Sequence, residues 1–224
     1  SPLLHCHLPI NHCKYLRLHR PFFLCRAYIL HQIALHKYHH LHRLIFQNRD
    51  KNDNILIYYA GHGQLVKKQK RGYWLPTDSG PKLDSKWLSN NSIKDLILST
   101  EAKHVLLIVD SCFSGSLTRG SGDNKSVEKL TANEINRLQK LITRFVITSG
   151  GNEDVVDGVG GSKNSVFAEP LIKTLKNNND VLRSYELFQE VRSFVIDNAD
   201  QTPNHSTIHG TGHDGGEFLF FPVS

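Results

Sequence analysis

Two short apolar runs, each closed by a turn of small residues, constrain this chain more than any other feature. The first extends from Asn54 to Tyr59 and gives way to Ala60-Gly61-His62-Gly63; the second extends from Val105 to Val109 and gives way to Asp110-Ser111-Cys112-Phe113-Ser114-Gly115. Apolar runs of this length, bounded by turn residues, read as buried strands of a parallel sheet. In an open α/β sheet the loops at the carboxyl ends of the strands form the ligand crevice. A histidine and a cysteine, 50 residues apart in sequence, are therefore expected at one edge of the fold.

Such a pair suits thiol-based nucleophilic catalysis. A free thiol is only slightly ionised at neutral pH, and nearby positive charge or a helix start increases the thiolate fraction. His62 lies between two glycines, which keep bulk away from the ring and from the backbone. The backbone N–H groups of Gly63 and Cys112 are candidates for holding a developing oxyanion. The expected cycle is attack of Cys112 sulfur on a peptide carbonyl, proton donation by His62 to the leaving amine, and hydrolysis of the acyl-enzyme.

The segments Tyr58-Tyr59-Ala60-Gly61-His62-Gly63 and Asp110-Ser111-Cys112-Phe113-Ser114-Gly115 resemble those of caspase-type cysteine peptidases, most closely the metacaspases and their bacterial relatives. That family carries its catalytic His in Y-Y-[SA]-G-H-G and its catalytic Cys in D-[SA]-C-x-S-G. The resemblance implies His62 and Cys112 as the dyad. It also implies Asp110, where animal caspases have Gln, as a wall of a pocket that takes Arg or Lys before the scissile bond. Ala60 is the second candidate substrate-binding residue. The expected partner is a protein or peptide substrate with basic residues. Asp78 matches a position that contributes to calcium binding in some metacaspases, but Arg119 stands where another acidic ligand belongs, so no cofactor is expected.

The resemblance extends from about Leu44 to Phe221, and the remaining patterns fit one doubly wound α/β domain, 44–224. The implied fold is a caspase-like three-layer sandwich, with a mostly parallel sheet between helices. Gln64 to Leu75 reads as a hairpin with a basic tip, Lys67-Lys68-Gln69-Lys70-Arg71. Helical spacing marks Ser92 to Thr100, and Thr131 with Glu134 forms a capping box before Ile135, Leu138, Leu141 and Ile142. Phe145-Val146-Ile147 reads as a strand, Val166 to Lys176 and Ser184 to Asn198 as helices, and Glu217 to Phe221 as an edge strand. Residues 115–126 read as an exposed loop at the place where caspase-type enzymes are cut. Self-cleavage at Arg119-Gly120 and an ordinary unprocessed loop both fit it.

The first 49 residues follow another pattern. They hold 9 of the 14 histidines, 7 Lys plus Arg and no Asp or Glu, so the net charge is +7 there and −1 from Asp50 onward. The basic balance thus belongs to the leader and carries no expectation of nucleic-acid binding for the domain. Cys6, Cys13 and Cys25 lack zinc-ligand spacing. The stretch has neither the Ser content of a transit peptide nor the apolar core of a signal peptide, and no segment approaches the ~18 apolar residues of a membrane span. The absence of Met suits a fragment from which additional domains have been lost. Residues 1–43 are therefore expected to be an extension without a fold of its own, with the first strand of the family missing or replaced. That leaves one row of backbone groups on the Asn54–Tyr59 strand without a neighbour.

His205, His209 and His213 recur every four residues, but Gly210, Gly212, Gly215 and Gly216 oppose a helix, and no metal site is expected. His104 is expected in a loop. A single Cys in the domain suits a reducing compartment, and a cytoplasmic location is expected. Besides an endopeptidase, the sequence admits a non-catalytic caspase-like scaffold.

Overall fold

The computed structural model describes residues 14–20, 23–31, 51–69, 71–80, 82, 85–111, 129–150 and 164–222. In chain order the strands are β1 (Lys14–Arg20), β2 (Phe23–His31), β3 (Asp53–Ala60), β4 (His62–Val66), β5 (Arg71–Leu75), β6 (Leu88–Ser89), β7 (His104–Asp110), β8 (Thr143–Thr148), β9 (Leu182–Arg183), β10 (Asn204–Thr207) and β11 (Leu219–Phe220). The helices are α1 (Asn90–Ser99), α2 (Ala132–Leu138), α3 (Ala168–Lys176) and α4 (Ser184–Asn198).

A six-stranded sheet runs β1-β2-β3-β7-β8-β10, with β2, β3, β7 and β8 mutually parallel and antiparallel strands at both ends. Every residue of β7 and β8 is buried, as an apolar run in the middle of a parallel sheet requires. Along β3 the alternate residues Ile55, Ile57 and Tyr59 join one core with Trp74 and with Ile93 and Ile97 of α1. Leu56 and Tyr58 face the other core, where Leu106 and Ile108 meet Leu171 of α3 and Leu187, Val191 and Val195 of α4. The period of two along a strand thus feeds two opposite layers, and the architecture is the expected α/β sandwich.

Local signals explain the helix starts. Ser89 Oγ accepts from Ser92 N at 3.0 Å and caps α1. Thr131 N donates to Glu134 Oε2 at 2.9 Å, and Glu134 N donates to Thr131 Oγ1, completing the predicted capping box of α2. That helix ends at Leu138, short of the Leu141 and Ile142 turn expected from spacing. There the chain turns into β8, and Ile142 O accepts from Asp214 N and Gly216 N. Pro170 lies in the first turn of α3, where a missing N–H leaves no intrahelical bond unmade.

Three expectations are revised. The Asn54–Tyr59 strand does not lack its outer neighbour: β2 pairs with β3 from Leu24↔Asp53 to His31↔Ala60, and β1 pairs with β2. Two segments of the first 43 residues thus form strands of the main sheet, where the composition suggested no fold of their own. The unmade hydrogen bonds on the edge of β3 are a physical reason for any extended segment to pair there. The closing Leu219–Phe220 strand pairs with β9 in a separate two-stranded ribbon, while β10 forms the edge of the main sheet. The glycines around His209 and His213 hid that strand.

His104 begins β7 and is buried, not exposed in a loop. Its Nδ1 lies 2.8 Å from Thr143 Oγ1 and its Nε2 lies 3.1 Å from Gln139 O. A carbonyl only accepts, so Nε2 carries the proton and Nδ1 accepts from the threonine in the neutral ring. Burial, reinforced by Lys103 and Arg144 and opposed by the Gln139 carbonyl, lowers its pKa from 6.5 to about 4. Between those values the unfolded chain takes up a proton that the folded chain refuses. The His104 contribution is therefore complete above pH 6.5 and lost as pH falls toward 4, at most about 3 kcal/mol at 1.36 kcal/mol per unit. Urea midpoints measured from pH 7 to pH 4 should fall more steeply for the wild type than for His104→Gln. Parallel curves would remove His104 from this account.

Candidate active site

Register brings the two motifs together. Parallel pairing of β3 with β7 sets Tyr59 opposite Val109 and Ala60 opposite Asp110. The chain leaves β3 through Gly61, whose N donates to Asp110 O at 3.4 Å. His62 follows Ala60 by two residues, as Cys112 follows Asp110 in sequence. Adjacent strands lie about 4.8 Å apart, so both motifs leave the sheet at one edge. Cys112 lies outside the described residues, as does the loop with Arg119; Ser111, beside the cysteine, is buried.

The two tyrosines before His62 act on opposite faces. Tyr59 stacks on Trp74 with ring centroids 4.0 Å apart and planes 8° from parallel. Its hydroxyl donates to His62 O at 2.9 Å. A Cβ at position 61 would stand 2.8 Å from that hydroxyl. Since the stacked ring cannot readily shift, glycine is needed there. Burial raises the Tyr59 pKa, against a lowering contribution from the Leu75 backbone, so the phenol remains a donor. His62 is thus fixed through its main chain, and its side chain is exposed. It begins β4 opposite Leu75, and half-buried Gly63 lies opposite Trp74. The histidine therefore sits at the root of the hairpin, not in a free loop.

On the other face Tyr58 Oη donates to Asp110 Oδ2 at 2.9 Å, and Ser165 Oγ donates to the same oxygen at 2.5 Å. Asp110 is only 6% exposed. Burial, then the charge of Asp110 and the hydrogen bond to it, raise the Tyr58 pKa well above its usual range. Tyr58 and Tyr59 stand in the His motif but carry no role of their own in the sequence reading, and Ser165 is not singled out there. Alternation along a strand already assigns Tyr58 and Tyr59 to opposite faces, whereas nothing near Ser165 signals a partner 55 residues away.

The other candidates separate from this edge. His205 lies in β10 among Phe145, Tyr185 and Phe188, 3.1 Å from Ser184 Oγ; that hydroxyl donates to Glu217 Oε1 at 2.6 Å. His213 Nδ1 accepts from Arg144 N, and His209 is exposed. The three form no helical face. Asp78 pairs with Lys86 at 3.4 Å. No group of three or more His, Cys, Asp or Glu residues among those described is arranged to hold a metal ion. No described helix is long and apolar enough to cross a membrane.

The crystal structure of a Geobacter sulfurreducens protein is similar, with a TM-score of 0.48 and 16% identity over 78% of this chain and 73% of that one. No curated protein matches the chain. The caspase domain, a family of cysteine peptidases, matches residues 36–211, more than three quarters of the sequence. The chain belongs to the caspase domain family.

Proposed function

We propose that the protein is a cysteine endopeptidase of the metacaspase-like branch that cleaves after Arg or Lys, with Cys112 as nucleophile and His62 as general acid and base. The observation that carries this reading is the β3–β7 register, which pairs Ala60 with Asp110, the strand ends from which the His and Cys motifs continue. His62 takes the Cys112 thiol proton, the sulfur bonds to the carbonyl carbon as the C=O π pair moves to oxygen, and the Gly63 and Cys112 N–H groups receive the oxyanion. Collapse breaks the C–N bond as His62 gives its proton to the amine. Water then attacks the thioester as His62 takes its proton, the C–S bond breaks, and His62 returns that proton to the sulfur, leaving the carboxylate product and the free thiol. Asp110 and Ala60 line the pocket for the basic side chain. The exposed position of His62 at the start of β4 supports this reading. A protein substrate in a reducing, cytoplasmic setting fits a nucleophile that must remain a thiol.

A second reading, a non-catalytic caspase-like module, draws on the two internal hydroxyl donors to Asp110 Oδ2, which engage that oxygen without substrate. One experiment separates the two. A peptide acyloxymethyl ketone ending in Arg should label Cys112 in the folded chain, with mass spectrometry locating the adduct. Absence of the adduct in folded protein favours the scaffold.

A further inference from the structure

Asp110 draws hydroxyl donors from two distant parts of the chain. Tyr58 reaches it from the neighbouring strand and Ser165 from the segment before α3. Ser165 Oγ also accepts from Ala168 N at 2.9 Å. Its one proton is therefore directed at the carboxylate, while its acceptor side is occupied by the start of the helix. Two donors converging on Oδ2 fix the rotation of the carboxyl group.

We infer that Tyr58 and Ser165 are positioning residues for cation recognition, holding the Asp110 carboxylate in a fixed orientation toward a guanidinium, amidinium or ammonium side chain. This rests on the reading of Asp110 as the pocket acid. The consequence is selectivity: without the hydroxyls a misaligned carboxylate gives up its advantage for a cationic ligand over a neutral one of the same shape. Ser165, bonded to both Asp110 and Ala168, further ties the pocket acid to the entry of α3.

The test uses the full chain carrying Cys112→Ala, with benzamidine as the probe and calorimetry as the readout. Ser165→Ala and Tyr58→Phe should each weaken benzamidine about 10-fold, the scale of one hydrogen bond to a charged group. Ser165→Thr, which keeps a hydroxyl, should stay within about twofold of the parent on the same scale. With Cys112 intact, the same variants should lose kcat/KM for an Arg-ended substrate mainly through KM, while the citrulline-ended analogue is unaffected. Tyr58→Phe leaves the Ala168 bond untouched and so guards against a folding defect in Ser165→Ala. Unchanged benzamidine affinity in both variants, or equal losses for Arg and citrulline, overturns the inference. Benzamidine binding that survives Asp110→Asn overturns the pocket reading and the inference with it. Binding lost in Asp110→Asn but retained in both hydroxyl variants overturns the inference alone.

Discussion

Replacing Cys112 by alanine should reduce peptide hydrolysis by at least about 10⁴-fold, the loss expected when a covalent nucleophile is removed. Replacing His62 by alanine should cost about 10²–10⁴-fold, the contribution of a positioned general acid and base. Neither change should unfold the domain. The tie that fixes His62 is its main-chain carbonyl, which receives the Tyr59 hydroxyl, and an alanine keeps that carbonyl. The ring is exposed, so its removal opens no cavity in the core. The double variant should be no slower than Cys112→Ala, because residues that act as one unit are not additive. Assays on protein with a wild-type unfolding transition provide the check. Activity above a trace in Cys112→Ala removes the covalent mechanism, and additive losses in the double variant remove the dyad.

Much of this arrangement was legible because the central strands answer to one dominant force. β7 and β8 are buried at every position, and the apolar runs Val105 to Val109 and Phe145 to Ile147 identified them; parallel neighbours then had to deliver their carboxyl ends to one edge. Capping chemistry is equally local, and Thr131 with Glu134 formed as read. Long-range pairing was not legible. β10 is a polar segment, Asn204 to Thr207, held in the sheet by β8 and by the buried His205–Ser184–Glu217 network, none of which has a sequence period. β1 pairs with β2 and β2 with β3; β2 is an apolar run broken by Arg26, and the His-rich, basic composition around it hid that signal. At the site, the His and Cys motifs were visible as words. The hydroxyl partners of Asp110 were not, since the bond to Ser165 exists only after α3 docks.

Arg-ended and Lys-ended substrates should exceed Asp-ended ones by about 10²-fold or more in kcat/KM, and Asp110→Asn should remove most of that margin. A guanidinium leaving water for a site of low exposure needs a compensating charge, and a carboxylate supplies one through charge-assisted hydrogen bonds that an amide cannot match. Breaking one partner of such a buried pair costs about 2–5 kcal/mol, or roughly 30- to 4000-fold in affinity. The substitution is nearly isosteric, and the amide oxygen of asparagine can still accept from Tyr58 and Ser165, so the strand end keeps its shape. An Asp-ended side chain meets the opposite situation, since a second carboxylate beside Asp110 repels it. Asp110→Asn should therefore improve hydrolysis of Asp-ended peptides even as Arg-ended ones decline. This crossing of two rates cannot come from general damage to the fold. A substrate panel run on both proteins decides the matter. A wild type that prefers Asp, or an Asp110→Asn variant that keeps the full preference for Arg, removes Asp110 from the pocket.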